Sequence, residues 1–401
     1  MPQGRPLNLL CLSGYFKGER FMQRAHELGA KVYLLTQAKL LKSAWPRDCL
    51  VDVFAQPDNS PLQATLNTVS YLARTIDFDV IVPLDDYDVE TAAALREHLR
   101  TPGMGDTTAR HFRDKLAMRV KALAEGIAVP PFVHVLNHDR LREFMASVPA
   151  PWMFKPRSEA SATGIVKIET SEQLWRVLDD KGDRQSHYLL EKYLPGDVYH
   201  VDSIISERKV VFAAVHRCGK PPFNVAHGGG IFTTHTVARG STDETELVAL
   251  NAKLLTSLGL VRGVSHTEYI KHSVDGRFYM LETSARVGGA HIAEMVEASS
   301  GINLWSEWAD IELARGLTPY TLPKQRAEYG GVLMTLSRQK HPDFSSYQDP
   351  EIYFRAPEDF HAGLVLRAST EERVDSLIHD YSVRFMNDFY TSLPAAEKPS
   401  H

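Results

Sequence analysis

The sequence predicts a multidomain protein that combines the α/β and α+β fold classes. Its first hundred residues alternate strand and helix patterns, which is typical of a parallel sheet. Its middle carries short alternating strands separated by turn residues, which is typical of antiparallel sheets. Two such strands flank a turn at Asp275–Gly276 and predict a hairpin. At 401 residues the chain is long enough for two or three domains with their own cores.

Composition and charge exclude several classes of protein. Hydrophobic residues make up 43% of the chain and charged residues 24%, as in ordinary globular proteins. A formal net charge of −5 without a long Lys/Arg run argues against a nucleic-acid partner. Cys11, Cys49 and Cys218 lack the spacing of a zinc site or a disulfide framework. No run of 18 apolar residues occurs, so we expect a cytoplasmic protein that does not span or bind a membrane.

The N-terminal part predicts a small parallel α/β domain. Its elements are a strand at Leu7–Ser13, a helix at Glu19–Leu28, a strand at Lys31–Thr36, a helix at Leu62–Thr75, a strand at Val80–Pro83 and a helix at Val89–His98. The acidic loop Asp85–Asp88 follows the last strand, where parallel sheets carry their functional loops. Gly14 and Gly18 do not form the GxGxxG fingerprint, so no Rossmann cofactor site is predicted.

A basic segment follows this domain. Its pattern predicts one helix over Thr107–Glu125 with Lys115 among its five cationic residues, and then a strand at Phe132–Val135. A solvated helix face is the ordinary interpretation of such charges.

Residues 152–168 show the clearest phosphate-handling pattern. Strand-like Trp152–Lys155 leads into the small-residue loop Ser158–Gly164 and a second strand, Ile165–Ile168. Small residues let backbone N–H groups approach phosphate oxygens, and Lys155 would add positive charge. The loop is not a Walker A loop, which requires GxxxxGK(S/T) before a helix. A plain hairpin turn is the alternative interpretation.

A β-meander comes next, with two further candidates. Glu191 lies in the apolar segment Tyr188–Leu194, where a buried carboxylate needs a polar partner such as an adenine amino group or ribose hydroxyls. Outward exposure on an edge strand is the alternative. Beyond strands at Val198–Ile205 and Lys209–His216, the loop His227–Gly230 predicts a substrate or lid loop, with a flexible turn as the competing interpretation.

The predicted hairpin near residue 270 carries one acid on each strand. Glu268 lies on Val264–Ile270 and Glu282 on Arg277–Glu282, and Arg286 follows directly. Antiparallel pairing would bring the two carboxylates together, and a cation would stabilise them there. This pattern suits a Mg²⁺-nucleotide site, and an ordinary exposed hairpin is the alternative.

Taken in order, four segments resemble the ATP-grasp superfamily, especially its carboxylate–amine ligases that join amino acids. They are FKPRSEASATG, LLEKYLPGDVYHVDSII, GVSHTEYI and FYMLETSARVGGAHI. The resemblance implies an N-terminal α/β domain, a small central domain and a C-terminal antiparallel-sheet domain, with ATP held between two sheets. We expect these at residues 1–105, 106–190 and 191–327, followed by a small α/β subdomain at 328–395. That last unit would hold strands GGVLMTL and AGLVLRAS and a helix at Thr370–Asp388.

The resemblance also implies roles for individual residues. Catalytic roles fall to Arg286 and Lys155. Nucleotide contacts fall to Lys115, Lys155, Ser158, Ser161, Gly164, Glu191, Lys192, Tyr193, Leu194 and, more weakly, Asp197. Metal ligands would be Glu268, Glu282 and Ser284. Substrate contacts would be His227, Gly228, Arg286, Gly288 and Gly289. The chain departs from the family pattern E-x-N-x-R at Ser284, since a serine hydroxyl is a shorter and weaker metal donor than an amide oxygen.

The reaction implied by the resemblance uses ATP and Mg²⁺ or Mn²⁺. A small carboxylate, expected to be an amino acid, would become an acyl phosphate and then join an amine. Two alternatives stay open: an ATP-grasp enzyme with a thiol or carboxylation acceptor, and an ATP-binding regulator without turnover. A homodimer also stays open as the assembly.

Overall fold

The computed structural model describes residues 5–160 and 163–392. Ser161, one of the predicted nucleotide contacts, lies outside these ranges. The strands are β1 (Asn8–Ser13), β2 (Lys31–Gln37), β3 (Leu50–Gln56), β4 (Val80–Pro83), β5 (Phe132–His134), β6 (Trp152–Pro156), β7 (Val166–Ile168), β8 (Tyr188–Lys192), β9 (Gly196–Ser206), β10 (Lys209–Cys218), β11 (Phe232–Thr236), β12 (Gly263–His272), β13 (Phe278–Ser284), β14 (Tyr329–Leu336), β15 (Ile352–Arg355) and β16 (His361–Ala368).

The α-helices surround these strands. They are α1 (Glu19–Glu27), α2 (Leu62–Leu72), α3 (Val89–Leu99), α4 (Asp106–Ala109), α5 (Lys115–Ala124), α6 (His138–Ser147), α7 (Ser171–Lys181), α8 (Pro222–Gly228), α9 (Thr242–Leu258), α10 (Ile292–Ser300), α11 (Leu304–Ala314) and α12 (Glu371–Asp388). Within the described part of the chain, no helix combines the length and apolar character needed to cross a bilayer.

The N-terminal sheet confirms the predicted parallel α/β class. Its strands lie in the order β3-β2-β1-β4, and each paired strand runs parallel to its neighbour. Leu9, Leu10 and Cys11 of β1 are fully buried, because helices cover both faces of a parallel sheet. The carboxyl ends of β1 and β4 lie side by side, since Leu12 pairs with Pro83. The loop Asp85–Asp88 therefore begins at the same edge of the sheet as Gly14.

The largest sheet is antiparallel, as expected for the C-terminal domain. Its eight strands lie in the order β13-β12-β9-β10-β11-β14-β16-β15. Helix α9 packs Leu254 and Leu258 against one face, in a cluster with Tyr199 and Tyr269. Side chains alternate along a strand, so the neighbouring residues of β9 and β12 face the other side of the sheet. That second face carries the polar residues of the candidate site.

The third sheet is small and antiparallel, in the order β5-β8-β6-β7. Strands β6 and β7 form the predicted hairpin, with Phe154 opposite Val166. Helices α6 and α7 bury Leu141 and Leu174 against Phe154 and Trp152. The strand ends at Lys155 and Glu191 are thereby fixed on a rigid support.

Two sequence predictions of local structure need correction. The helix expected over Thr107–Glu125 is broken, because the side chain of Asp114 accepts a hydrogen bond from the Leu116 backbone N–H (2.9 Å) and starts a new helix, α5. The loop expected at His227–Gly230 begins inside α8, which ends at Gly228. Pro222 stands at the start of that helix, where its fixed φ favours a first turn.

The predicted domain boundaries remain a prediction. The boundary between residues 190 and 191 falls within β8. Strands β14 and β16, predicted to form an appended subdomain, continue the same sheet as β11, and β15 lies in the stretch between them that the sequence pattern predicts to be irregular.

Candidate active site

A cavity of about 410 Å³ lies between the small antiparallel sheet and the eight-stranded sheet. It brings together many residues that the sequence predicts for one site. Those lining it are Lys115, Lys155, Glu191, Lys192, Tyr193, Leu194, Glu268, Glu282, Arg286 and Gly289. One end is apolar, with Met153, Val198, Ile270 and Leu281 beside the Lys192–Leu194 backbone. The other end carries the charged groups, so the cavity can hold a ligand with a flat apolar part and an anionic part.

Glu191 lies in a buried carboxylate cluster, which we define as Arg119, Lys155 and Glu191. Its Oε2 accepts hydrogen bonds from Arg119 Nη2 (2.9 Å) and Nε (3.1 Å), and its Oε1 pairs with Lys155. The side chains of Arg119 and Glu191 are 0% and 2% exposed. Burial would raise the pKa of Glu191, but the charges of Arg119 and Lys155 outweigh it and lower that pKa. The protein itself thus supplies the polar partners that the sequence interpretation sought in a nucleotide.

Arg119 has no role in the sequence interpretation beyond its place in a basic helix. It follows Lys115 by four residues on α5, so both side chains project from one face of that helix. Both residues are buried in the structure, which corrects the expectation of a solvated face at these two positions. Two cations lie four residues apart on a helix, and an acid lies in a buried strand. That combination is the sequence signal that could have paired Arg119 with Glu191.

The paired glutamates, Glu268 and Glu282, stand directly opposite each other on β12 and β13. Their side chains are 23% and 29% exposed. Lys115 Nζ lies 2.8 Å from Glu282 Oε2 and also donates to the carbonyl oxygen of Glu159 (2.5 Å). Burial would raise the pKa of Glu282, but Lys115 and Lys155 outweigh it and lower that pKa. Glu282 is therefore ionised at neutral pH.

Arg286 is held from the N-terminal domain. Its Nε and Nη2 each lie 2.7 Å from Asp86 Oδ2, and its Nη1 donates to the carbonyl oxygen of Val287 (2.9 Å). Burial would raise the pKa of Asp86, but the guanidinium groups of Arg286 and Arg113 outweigh it and hold that pKa at about 2. Asp86 is a site residue that the sequence interpretation left in an acidic loop. Its place at the carboxyl end of β4 was the available signal.

Three histidines surround Asp202 on the cavity face of the large sheet. Asp202 lies 2.7 Å from His200 Nδ1, 3.3 Å from His216 Nδ1 and 2.9 Å from His266 Nδ1. His266 Nε2 lies 3.8 Å from Glu268 Oε1. We name Asp202, His200, His216 and His266 the histidine–aspartate network. The sequence interpretation missed it, although His200 and Asp202 are two apart on a strand and share a face.

Charges within this network depend on Asp202. Burial would raise the pKa of Asp202, but His266 and His200 outweigh it and keep that pKa well below its usual range. Burial lowers the pKa of His216 to about 4 despite its contact with Asp202, so His216 is neutral. Burial would also lower the pKa of His266, but Asp202 outweighs it and raises that pKa to about 9. Nδ1 of His266 is therefore held next to the ionised carboxylate of Asp202.

The predicted phosphate loop contacts Arg113, just before α5, and Tyr87 of the N-terminal domain. The carbonyl oxygen of Ser158 accepts a hydrogen bond from Arg113, and Tyr87 Oη donates to Glu159 Oε2 (3.1 Å). Gly164 has φ +67°, which favours glycine. Glu159 and Thr163 line the cavity, and the carbonyl oxygen of Glu159 accepts a hydrogen bond from Lys115.

Several predicted residues lie elsewhere. Asp197 is not brought to the cavity: Gly196 and Val198 line it, so Asp197 points to the opposite face of β9, where it pairs with Arg217 (2.8 Å). His227 Nε2 lies 3.1 Å from the carbonyl oxygen of Ile165, and Gly228 ends α8. Helix α8 borders the cavity instead through Pro222, Phe223 and Val225.

Gly288 and Ser284 lie beside the histidine–aspartate network. A Cβ atom at Gly288 would come within 2.9 Å of Asp202 Oδ1 and 3.0 Å of His266 Nδ1, so the network requires glycine there. Ser284 pairs with His266 across β13 and β12. Its hydroxyl also contributes to lowering the pKa of Asp86.

The donor set at the charged end suits a divalent cation. Glu268 and Glu282 offer hard carboxylate oxygens of the kind that Mg²⁺ prefers, and their partial exposure leaves room for water ligands. Ser284 adds at most a hydroxyl oxygen. The carboxylates can therefore hold a metal ion against phosphate groups at the same end of the cavity.

No family model matches the chain. A curated relative, the L-arginine-specific L-amino acid ligase of Bacillus subtilis, is 24% identical over 271 residues, which are 66% of this chain and 64% of the relative. The chain thus spans about two thirds of that relative's length.

Solved structures resemble the whole chain. The L-amino acid ligase from Bacillus licheniformis has a TM-score of 0.74 at 17% identity, covering 97% of this chain and 100% of that one. The N5-carboxyaminoimidazole synthetase from Staphylococcus aureus complexed with ADP has a TM-score of 0.72 at 15% identity, covering 96% and 99%. This chain therefore has the ATP-grasp fold, and the proteins it resembles include the carboxylate–amine ligases of that superfamily.

Proposed function

We propose that the protein is an ATP- and Mg²⁺-dependent ligase that activates a small carboxylate, an amino acid above all, and joins it to an amine. The observation that carries this proposal is the charged end of the cavity. There the paired glutamates, Lys115, Lys155 and Arg286 converge on one space. Anionic and cationic groups in that arrangement fit phosphoryl transfer from a nucleotide to a carboxylate.

The apolar end of the cavity fits the base of ATP. Met153, Val198 and Leu281 offer apolar contacts to a flat ring, and the Lys192–Leu194 backbone lies at its edge. From there the phosphates would extend toward Lys155 and Lys115. The loop of residues 158–164 would cover them, with Ser158, Ser161 and Gly164 in the contacts that the family resemblance implies.

The chemistry requires two steps. A carboxylate oxygen of the first substrate attacks the γ-phosphorus of ATP, the bond to the β-phosphate oxygen breaks, and ADP leaves. The amine nitrogen of the second substrate then attacks the carbonyl carbon of the acyl phosphate. Phosphate leaves with the bonding electron pair, and the nitrogen loses a proton to give the amide. Neither step consumes a reactant other than ATP and the two substrates.

Residues of this chain have separate roles in those steps. Lys115 and Lys155 would neutralise charge on the phosphates, and Glu268 and Glu282 would hold the metal. A bound Mg²⁺ supplies positive charge that draws the phosphate oxygens together. Arg286, oriented by Asp86, would bind the carboxylate or acyl phosphate beside Gly289. His227, Gly228 and Gly288 remain predicted substrate contacts.

Phosphate release tests the proposal. The purified protein is incubated with ATP and Mg²⁺, alone and with pairs of amino acids, beside a Glu282→Ala variant. We expect one or more pairs to stimulate formation of ADP, phosphate and a dipeptide in equal amounts. Glu282→Ala should reduce release at least about 100-fold, since one carboxylate cannot replace the paired site.

The other outcomes separate the alternatives. Release with a thiol or with bicarbonate, but with no amine, would show a different acceptor. ATP binding without release on any substrate would favour a regulator that lacks turnover. Either result would overturn the ligase proposal while leaving the ATP-grasp fold unchanged. A homodimer also remains a prediction, which the mass of the protein in solution tests.

A further inference from the structure

His266 lies beside Glu268 and Glu282, at a site where this chain lacks the asparagine ligand of the family pattern. In this chain, Ser284 replaces the asparagine of the common E-x-N-x-R pattern. In the structure Ser284 is directly opposite His266, and Glu282 is directly opposite Glu268. Residues two apart on a strand share a face, so the four side chains lie on one face of the sheet, and those of His266, Glu268 and Glu282 line the cavity.

His266 is oriented in the way that metal-binding histidines are. Its Nδ1 lies 2.9 Å from Asp202 Oδ1, which leaves Nε2 directed toward Glu268 Oε1 at 3.8 Å. A carboxylate on the far nitrogen typically fixes the ring and raises its basicity as a ligand. Bonds of about 2.1 Å from one ion to a nitrogen and an oxygen can span such a gap. The imidazole also lines the cavity.

We propose that His266 Nε2 is a ligand of the divalent ion held by Glu268 and Glu282. This inference rests on the proposed function, because it concerns the metal of the same site. The site would then offer one imidazole nitrogen and two carboxylates in place of an all-oxygen set. Nitrogen ligands favour first-row transition ions over Mg²⁺, so the protein should prefer Mn²⁺ to Mg²⁺.

A competing role for His266 is a salt bridge. As an imidazolium it would pair with Glu268 and have no free electron pair on Nε2. A metal ion and a proton on that nitrogen exclude each other. The two roles therefore predict different surroundings for a bound ion: nitrogen in its first coordination shell, or oxygen alone.

Pulsed EPR of bound Mn²⁺ distinguishes them, because electron spin-echo modulation detects a directly coordinated ¹⁴N nucleus. The measurement uses the full chain and Mn²⁺ alone, so no nucleotide nitrogen contributes. We expect ¹⁴N modulation in the unmodified protein and its loss in His266→Asn. His272→Asn is the matched control: its side chain is 14% exposed against 11% for His266, and its Nδ1 lies 3.1 Å from Asp275. It should keep the signal.

Calorimetry gives an independent measure. His266→Asn should weaken Mn²⁺ binding about tenfold or more, while the affinity for Mg²⁺ changes less than about threefold. His266→Gln is measured as well, in case His266→Asn does not fold by circular dichroism. Absence of ¹⁴N modulation in the unmodified protein, or an unchanged signal in both variants, would overturn the inference. ¹⁴N modulation in a protein that releases no phosphate would support His266 as a metal ligand and would contradict only the proposed ligase activity.

Discussion

The buried carboxylate cluster and the paired glutamates place acids at the same cavity in opposite circumstances. Glu191 is 2% exposed, and both of its oxygens are bound by side-chain cations, Arg119 and Lys155. Glu268 and Glu282 are 23% and 29% exposed, and Lys115 pairs with Glu282 alone. The first arrangement holds two cations around one acid. The second holds two acids side by side, with Lys115 2.8 Å from Glu282 and His266 Nε2 3.8 Å from Glu268, and both acids keep part of their surface open to a ligand.

This difference separates an acid whose charge the protein itself balances from the pair of acids that we propose as metal ligands. Removing one partner of a buried, fully paired carboxylate is strongly destabilising, because the remaining charge stays buried without compensation. A half-buried pair of like charges gains stability from an added cation. The sequence interpretation gave both kinds of acid the same status, as ligand contacts on strands. Their different exposure is what divides them.

The largest effect should follow from breaking the buried carboxylate cluster. Arg119→Met removes the cation that donates to Glu191 through two nitrogens and leaves the buried acid half paired. We expect a loss of about 3–5 kcal/mol in the free energy of unfolding. Lys121→Met on the same helix is the control, because its pair with Glu125 is exposed and should change stability by less than about 0.5 kcal/mol. Equal effects of both changes in urea denaturation would contradict the assignment.

The same substitution at the two kinds of acid should give opposite results. Glu268→Gln removes one of two like charges, so we expect unchanged or slightly raised stability in the absence of metal. Phosphate release should fall at least about 100-fold, which corresponds to about 2.7 kcal/mol in activation free energy. Glu191→Gln should lower stability, because two buried cations lose their partner charge. Thermal unfolding and phosphate release are measured on both. A stable, active Glu191→Gln protein would erase the distinction.

The fold and the juxtaposition of Glu268 and Glu282 could be predicted because they depend on local patterns. Alternation, turns and buried runs define β1, β9 and the β12–β13 hairpin, and hairpin pairing alone places Glu268 opposite Glu282. The break before α5 was missed because Asp114 competes with helix continuation through two capping hydrogen bonds, from the backbone N–H groups of Leu116 and Ala117.

The rest of the site could not be predicted, because its partners lie far apart in the chain. Arg286 meets Asp86 across 200 residues, and Arg119 meets Glu191 across 72. No periodicity reports such pairs. His266 and Asp202 likewise meet only because β12 and β9 are neighbours in the sheet.

Asp86 sharpens the comparison, because it is buried like Glu191 but pairs with Arg286, which lines the cavity. Its pKa in the folded protein is about 2, below its ordinary value of 3.8. A lowered carboxyl pKa stabilises the fold fully above pH 4–5, and this contribution is lost as the pH falls toward about 2. Asp86→Asn should therefore reduce stability by about 2 kcal/mol at pH 7. The difference between the two proteins should shrink steadily below about pH 4.

Thermal unfolding between pH 2 and pH 7 measures this dependence for both proteins. A difference that stays constant over that range would show that lost packing, and not the ion pair with Arg286, explains the effect. Phosphate release adds a second readout, since Arg286 without Asp86 should bind the carboxylate substrate less well. A raised KM for that substrate is the expected result.

The smallest effect should come from substitution of Asp197. This acid is neither buried and fully paired, like Glu191, nor placed beside a second carboxylate, like Glu268 and Glu282. Its side chain is 56% exposed, on the opposite face of β9 from the cavity, and its ion pair with Arg217 is open to solvent. Asp197→Asn should change stability by less than about 0.5 kcal/mol, because water screens such pairs. By its position it should also leave the affinity for ATP within about twofold, as measured by calorimetry, which corresponds to less than about 0.5 kcal/mol. A loss of tenfold or more would show that β9 turns this carboxylate toward the ribose when ATP binds, as the family resemblance implies, and would move Asp197 into the group of ligand-binding acids.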